Sequence, residues 1–94
     1  AYDLGRALIA QGRPTQAAEA LARATAADPE WADAWYTLGV AAEDAGQPKA
    51  AAAAYAAALN LDNAHPYAAL QLGDLLRKEN RLEDAINAYS QHLG

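Results

Sequence analysis

Residues 31–60 read WADAWYTLGVAAEDAGQPKAAAAAYAAALN, and this stretch decides the fold. Its first half sets Trp31, Trp35, Leu38 and Val40 on a helical stripe, with the small Ala41, Ala42 and Ala45 beside it. Gly46 then suits a left-handed helix stop, which a residue without a side chain adopts cheaply. Pro48 fits the first turn of a new helix, where its missing N–H costs nothing. From Pro48 to Asn60 the chain is nearly pure alanine, the best helix former, with Tyr55 and Leu59 four apart on one face. The stretch is a helix, a tight turn and a second helix.

The same unit recurs on both sides. Leu4-Gly5, Leu38-Gly39 and Leu72-Gly73 fall 34 residues apart. Gly12, Gly46 and Asn80 keep the step, as do Pro14 and Pro48, with Leu82 in the third copy. So do Ala17, Ala51 and Ala85; Leu21, Tyr55 and Tyr89; and Ala24, Ala58 and His92. Asp28-Pro29 and Asp62-Asn63-Ala64-His65-Pro66 punctuate the ends of the second helices. Asn80 is the next most tolerant residue for a stop in the third copy. The pattern predicts six helices, near 1–11, 14–27, 31–45, 48–60, 66–79 and 82–93, and no strand. The in-phase small residues let helix backbones approach. A large residue at Gly39, Ala51 or Ala58 should cost ~1–3 kcal/mol in overpacking.

Composition agrees. The 94 residues include 28 alanines against 12 leucines, two isoleucines and one valine, with no Phe, Met or Cys. The core must be thin. A net charge of −5 disfavours nucleic-acid and anionic-membrane binding, which need a positive footprint. No apolar run approaches the ~18 residues of a membrane span, and no signal peptide opens the chain. Absent cysteines remove disulfide and thiolate chemistry and leave the compartment open between cytoplasm and periplasm. Lacking an initiator Met, the chain reads as an excerpt of a longer one, and its alanine and arginine bias points to a GC-rich bacterial source.

No constellation for catalysis is present in the sequence. His65 and His92 lie far apart, without cysteines, and read as surface residues rather than metal ligands. Glu43-Asp44 and Glu83-Asp84 are adjacent pairs that point to different sides of a helix and read as solvated helix ends. Thr15, Thr25, Thr37 and Ser90 have no histidine at a useful spacing, and no phosphate loop or dinucleotide fingerprint appears. No enzyme, metal or cofactor is expected.

The 34-residue period resembles the tetratricopeptide repeat, with Trp35, Leu38-Gly39, Ala51, Tyr55 and Ala58 in the family's places and Pro29 where its proline closes the first repeat. Asn63 replaces that proline in the second repeat, Ala42 stands where an aromatic is usual, and His92 where a small residue is. The resemblance covers the whole chain as one array: 1–31, incomplete at its start, then 32–65 and 66–94. It implies an all-α solenoid of stacked antiparallel helix pairs in a right-handed superhelix, acting as a protein–protein interaction scaffold that takes a peptide or helix in its concave groove. Projected onto this sequence, the groove holds Tyr2, Arg6, Ile9, Asp33, Tyr36, Thr37, Val40, Asp44, Tyr67, Leu70, Gln71, Asp74 and Arg77. The acidic middle of the array, Asp28 to Asp44, would complement a partner's Lys or Arg, while Arg77, Lys78 and Arg81 make a basic spot. The Lys/Asn/Arg clamp that some members use on a C-terminal carboxylate is absent at Tyr2, Arg6, Thr37, Tyr67 and Gln71. Alternatives are a recruitment arm of a larger enzyme, such as a transferase, and a self-assembly element stacking end to end. Ile86, Tyr89 and Leu93 at three- and four-residue spacing suggest weak self-association through the terminal helix.

Overall fold

A computed structural model describes the backbone of residues 2–93 and the side chains of residues 2–80. It contains five α-helices: α1 Tyr2–Ala10, α2 Pro14–Ala27, α3 Ala32–Asp44, α4 Pro48–Leu61 and α5 Pro66–Leu93. No strand occurs among the described residues.

Two of the expected turns form as the sequence chemistry requires. Gly12 and Gly46 carry φ angles of 73° and 76°, which other residues rarely adopt. At the first turn Arg13 N–H bonds Leu8 C=O (2.9 Å) and Gly12 N–H bonds Ile9 C=O (3.0 Å). At the second, Gln47 N–H bonds Ala42 C=O (2.9 Å) and Gly46 N–H bonds Glu43 C=O (3.0 Å). Both are Schellman stops, and each is followed at once by the proline that opens the next helix.

α2 packs on α1 and α3, α4 packs on α3 and α5, and α1 touches α3. The helices therefore form two layers, with α1, α3 and the start of α5 in one and α2 and α4 in the other. The stacking is elongated: the radius of gyration is 15.0 Å, against about 12 Å for a compact domain of this length. Its interior is thin, as the alanine content demands. One cluster joins Ala17, Leu21 and Ala41, with Leu8, Ile9 and Leu38 at its border. The other joins Ala42, Ala51, Tyr55 and Leu75, bordered by Tyr36, Val40 and Leu72.

Close approach rests on two glycines. A Cβ on Gly5 would lie 2.7 Å from Leu21 Cδ2, and one on Gly39 would lie 2.6 Å from Tyr55 Cδ1 and 2.9 Å from Cζ. Each glycine thus seats the large residue sixteen positions on, across its own hairpin.

The third pair corrects the expectation of six helices. Residues 66–79 and 82–93 form one continuous helix, α5, of 28 residues, with no turn at Asn80. The reason is local. Asn80 tolerates a left-handed backbone without requiring it, and Leu82 keeps the N–H that Pro14 and Pro48 lack and brings no ring to clash with the preceding turn. The apolar stripe Ile86, Tyr89 and Leu93, like Ala85 and His92, lies outside the residues whose side chains are described.

Candidate functional site

The α1–α3–α5 layer carries an aromatic seam built twice from in-phase residues. At the first junction, Tyr2 packs on Trp31 with ring centroids 4.4 Å apart, and its hydroxyl reaches Thr37 Oγ1 at 3.5 Å. At the second, Tyr36 packs on His65 at 5.0 Å. Tyr36, His65 and Gln71 stand 34 residues after Tyr2, Trp31 and Thr37, so the two junctions are one design used twice. Tyr36 also meets Tyr55 at 5.8 Å and Tyr67 at 6.0 Å. Burial raises its phenol pKa, an effect partly offset by a hydrogen bond with Gln71 and reinforced by Tyr67 and Glu43.

His65 corrects its reading as a surface residue: it is only 5% exposed. It directly precedes the helix-opening Pro66, and its Nδ1 accepts the Ala68 N–H at 3.2 Å, capping α5. With Nδ1 an acceptor, the ring proton sits on Nε2, which donates to Asp33 Oδ1 at 2.8 Å. Both ring nitrogens are engaged by protein groups. The arrangement fixes a carboxylate oxygen of α3 against the start of α5, while the Asp33 side chain stays 66% exposed. Thr37 Oγ1 donates to the Asp33 carbonyl at 2.8 Å, tying the same turn. The available signal was phase: His65 occupies the place of Trp31, one residue before a helix.

The other groove candidates divide into two sets. Val40 and Ile9 border the core clusters, and Tyr2 and Tyr36 are half-buried in the junctions. Arg6 lies over the Tyr2 ring at 5.8 Å, a cation–π contact. Tyr67 and Leu70 are each 60% exposed on α5, one helical turn apart. Asp74 and Arg77 continue that stripe and pair loosely at 3.8 Å. Gln71 is half-buried, and Asp44 is exposed at the end of α3.

Glu43 is not a free helix-end acid. The buried Tyr55 hydroxyl donates to its Oε2 at 3.1 Å. A phenol in the core needs such an acceptor, and Tyr55 stands in phase with the apolar Leu21, a signal that a polar partner had to be nearby. Burial, then the Glu43 charge and bond, drive the Tyr55 pKa far above the ordinary value.

The opposite side holds an apolar cleft of about 330 Å³ between α2, α3 and α4. Leu38, Ala42 and neighbouring alanines wall it, with Thr15, Glu19 and Gln47 among its lining residues. Ala42 stands where the resemblance expects an aromatic, so the wall there is low.

No group of three or more metal-ligating side chains, and no helix long and apolar enough to cross a membrane, occurs among the described residues. No curated protein matches the chain. The sequence profile of one family, the tetratricopeptide repeat, matches residues 2–69 and again residues 43–94. The chain therefore belongs to the tetratricopeptide repeat family, whose repeats generally mediate protein–protein interaction or scaffolding and are typically non-catalytic.

Proposed function

We propose that the α1–α3–α5 layer binds a peptide segment that carries an apolar side chain followed or preceded by Lys or Arg. The observation that carries this reading is the juxtaposition of a held, exposed carboxylate with exposed apolar surface. His65 engages one oxygen of Asp33 and leaves the rest of that carboxylate to solvent. Tyr67, whose ring also meets His65 at 6.3 Å, and Leu70 present apolar area beside it. A carboxylate held by its neighbours loses little freedom when it accepts a cation, and tyrosine offers rigid area with a polar tip. Asp74 supplies a second acid further along α5. Tyr2 and Arg6 extend the same face toward α1.

Selection of peptides from a display library on the 94-residue chain, followed by calorimetry, tests this. Enriched sequences should carry a basic residue near an aliphatic or aromatic one. Asp33→Asn and the double change Tyr67→Ala with Leu70→Ala should each weaken binding by ~1–2 kcal/mol, and affinity should fall with salt. Lys49→Ala, on α4 in the other layer, should change nothing. Binding that survives the α3 and α5 changes but is lost with Lys49→Ala moves the site to the opposite layer and overturns the reading.

A further inference from the structure

We propose that His65 is a proton switch on the binding layer: when its ring takes a second proton, the first turn of α5 loses its cap and Asp33 loses its free charge, so acid weakens the hold on a basic peptide. The regulation rests on the peptide-binding reading above, whereas the switch itself belongs to the α3–α5 junction. His65 is buried, and both ring nitrogens have partners. Nδ1 accepts the Ala68 N–H at 3.2 Å, as a residue just before a helix does for the third residue inside it, and Nε2 donates to Asp33 Oδ1 at 2.8 Å. Only the neutral ring can do both, because an imidazolium carries a proton on each nitrogen and accepts nothing. Protonation sets the Nδ1 and Ala68 N–H groups against each other, and the cap bond is lost. At the other nitrogen the bond to Asp33 becomes an ion pair, so this exposed carboxylate is neutralised by its own neighbour. A peptide Lys or Arg then meets a paired acid and a positive ring.

The surroundings single this ring out. The titratable groups around it are Asp33 and Tyr36 of α3, Tyr67 of α5 and, in the loop, Asp62, whose carboxylate accepts the Ala64 N–H at 3.1 Å. Asp74 and Arg77 lie more than two turns further along α5 and pair with each other. Imidazole is the only one of these side chains whose ordinary charge change falls between about pH 5 and 8. The in-phase junction lacks such a group. Trp31 takes the place of His65 there and cannot titrate, and the Ala34 amide bonds the Trp31 carbonyl at 3.1 Å instead of a side chain. Of the two junctions, one responds to acid and the other does not. Linkage makes the effect reciprocal: protons and a cationic peptide compete for Asp33, so binding in mild acid expels a proton.

NMR across the range from about pH 8 to 5 tests the switch without any peptide. As the His65 ring protonates, the protection factor of the Ala68 amide, which divides out the intrinsic pH dependence of exchange, should fall about fivefold. That of the Ala34 amide should hold. Calorimetry with a blocked Trp-Lys-Leu-Arg peptide, whose charge is constant over this range, should show affinity falling about fivefold or more, toward the level of Asp33→Asn, with proton release on binding. His65→Asn offers the Ala68 amide a cap oxygen and cannot take the proton, so both responses should vanish. His92→Gln, which removes the other histidine, should leave both in place. A ring that stays neutral until the chain unfolds, or Ala68 protection that holds while the ring titrates, overturns the switch. A peptide bound equally well at both ends of the range overturns the regulation. If Ala68 responds but the peptide binds at no pH, the peptide-binding reading fails and the switch alone stands.

Discussion

Residues 12–14 and residues 80–82 occupy the same place in the repeat and do opposite things. At Gly12-Arg13-Pro14 the backbone turns left-handed, two amides cap the departing helix, and proline starts the next. At Asn80-Arg81-Leu82 the helix runs straight through. The difference teaches that the hairpin is made by its punctuation and not by the pairing it permits, since Gly73 keeps the seat even where no turn brings Tyr89 to it.

The largest expected effect is a change of topology. Proline inside a helix costs about 3 kcal/mol or more. Installing the pair Asn80→Gly with Leu82→Pro should therefore break α5 and close a third hairpin. Spin labels at positions 69 and 88, in chains diluted into unlabelled protein, should report ~28 Å in the native helix and about 10 Å after the change. An unchanged distance would mean that something other than these residues keeps α5 straight.

Next come the glycine seats. Gly39→Ala drives a methyl into the Tyr55 ring and should destabilise by ~1–3 kcal/mol. Gly73→Ala enters open space within a helix and, in dilute protein, should stabilise by ~0.5–1 kcal/mol. Urea melts of the two variants, followed by helicity, should shift in opposite directions. Equal shifts would show that the seats are equivalent after all.

These contrasts also mark what the sequence could and could not disclose. The stops at Gly12 and Gly46 were legible because a left-handed glycine followed by proline is a local demand that no tertiary contact is needed to explain. The third turn was extrapolated from phase alone, and phase says where a turn belongs without forcing one. The in-phase alanines disclosed a thin, closely packed interior. The face holding Asp33, Tyr36 and Tyr67 was legible from the family projection. The bond from His65 to Asp33 was not, because the two residues lie 32 apart, one on α3 and the other in the loop before α5, and a lone histidine there carries no label. Tyr55 hid its partner for a similar reason: Glu43 read as one half of an adjacent acidic pair.

The stop itself can be weighed apart from the seat. Gly46→Ala places a side chain at a φ of 76° and should cost ~1–2 kcal/mol. Asn80→Ala, in phase but inside α5, should be neutral or stabilise by a few tenths, roughly the difference in helix propensity. Thermal melts separate these outcomes readily. The junctions invite a matching test, because His65 caps α5 through Nδ1 whereas Trp31, in phase before α3, makes no side-chain cap bond. His65→Ala should cost about 1 kcal/mol through the lost cap alone, and hydrogen exchange at the Ala68 amide should quicken. Should that amide keep its protection, the cap lies elsewhere.

The smallest effect at neutral pH compares the occupants of the two closed seats, Leu21 and Tyr55. Leu21 cannot ionise, whereas Tyr55 is a buried phenol bonded to Glu43 and held neutral well above the ordinary tyrosine value of 10.0. Tyr36 is raised as well. Below pH 10 both groups are protonated in native and unfolded chains alike, so they add no pH dependence. Above it the unfolded chain releases these protons first, and stability falls as pH climbs from the unfolded value through the folded one. Tyr55→Phe keeps the ring on Gly39 and removes the ionisable oxygen. At pH 7 the lost bond to Glu43 should cost no more than about 1 kcal/mol, since half-exposed Glu43 can turn to water. Between pH 10 and 12 the variant should lose stability less steeply than the native chain and overtake it. Urea midpoints measured at unit intervals of pH would show the crossing. Parallel alkaline slopes would mean that the Tyr55 phenol ionises as freely in the folded chain as in the unfolded one, and that the seat at Gly39 is open to water.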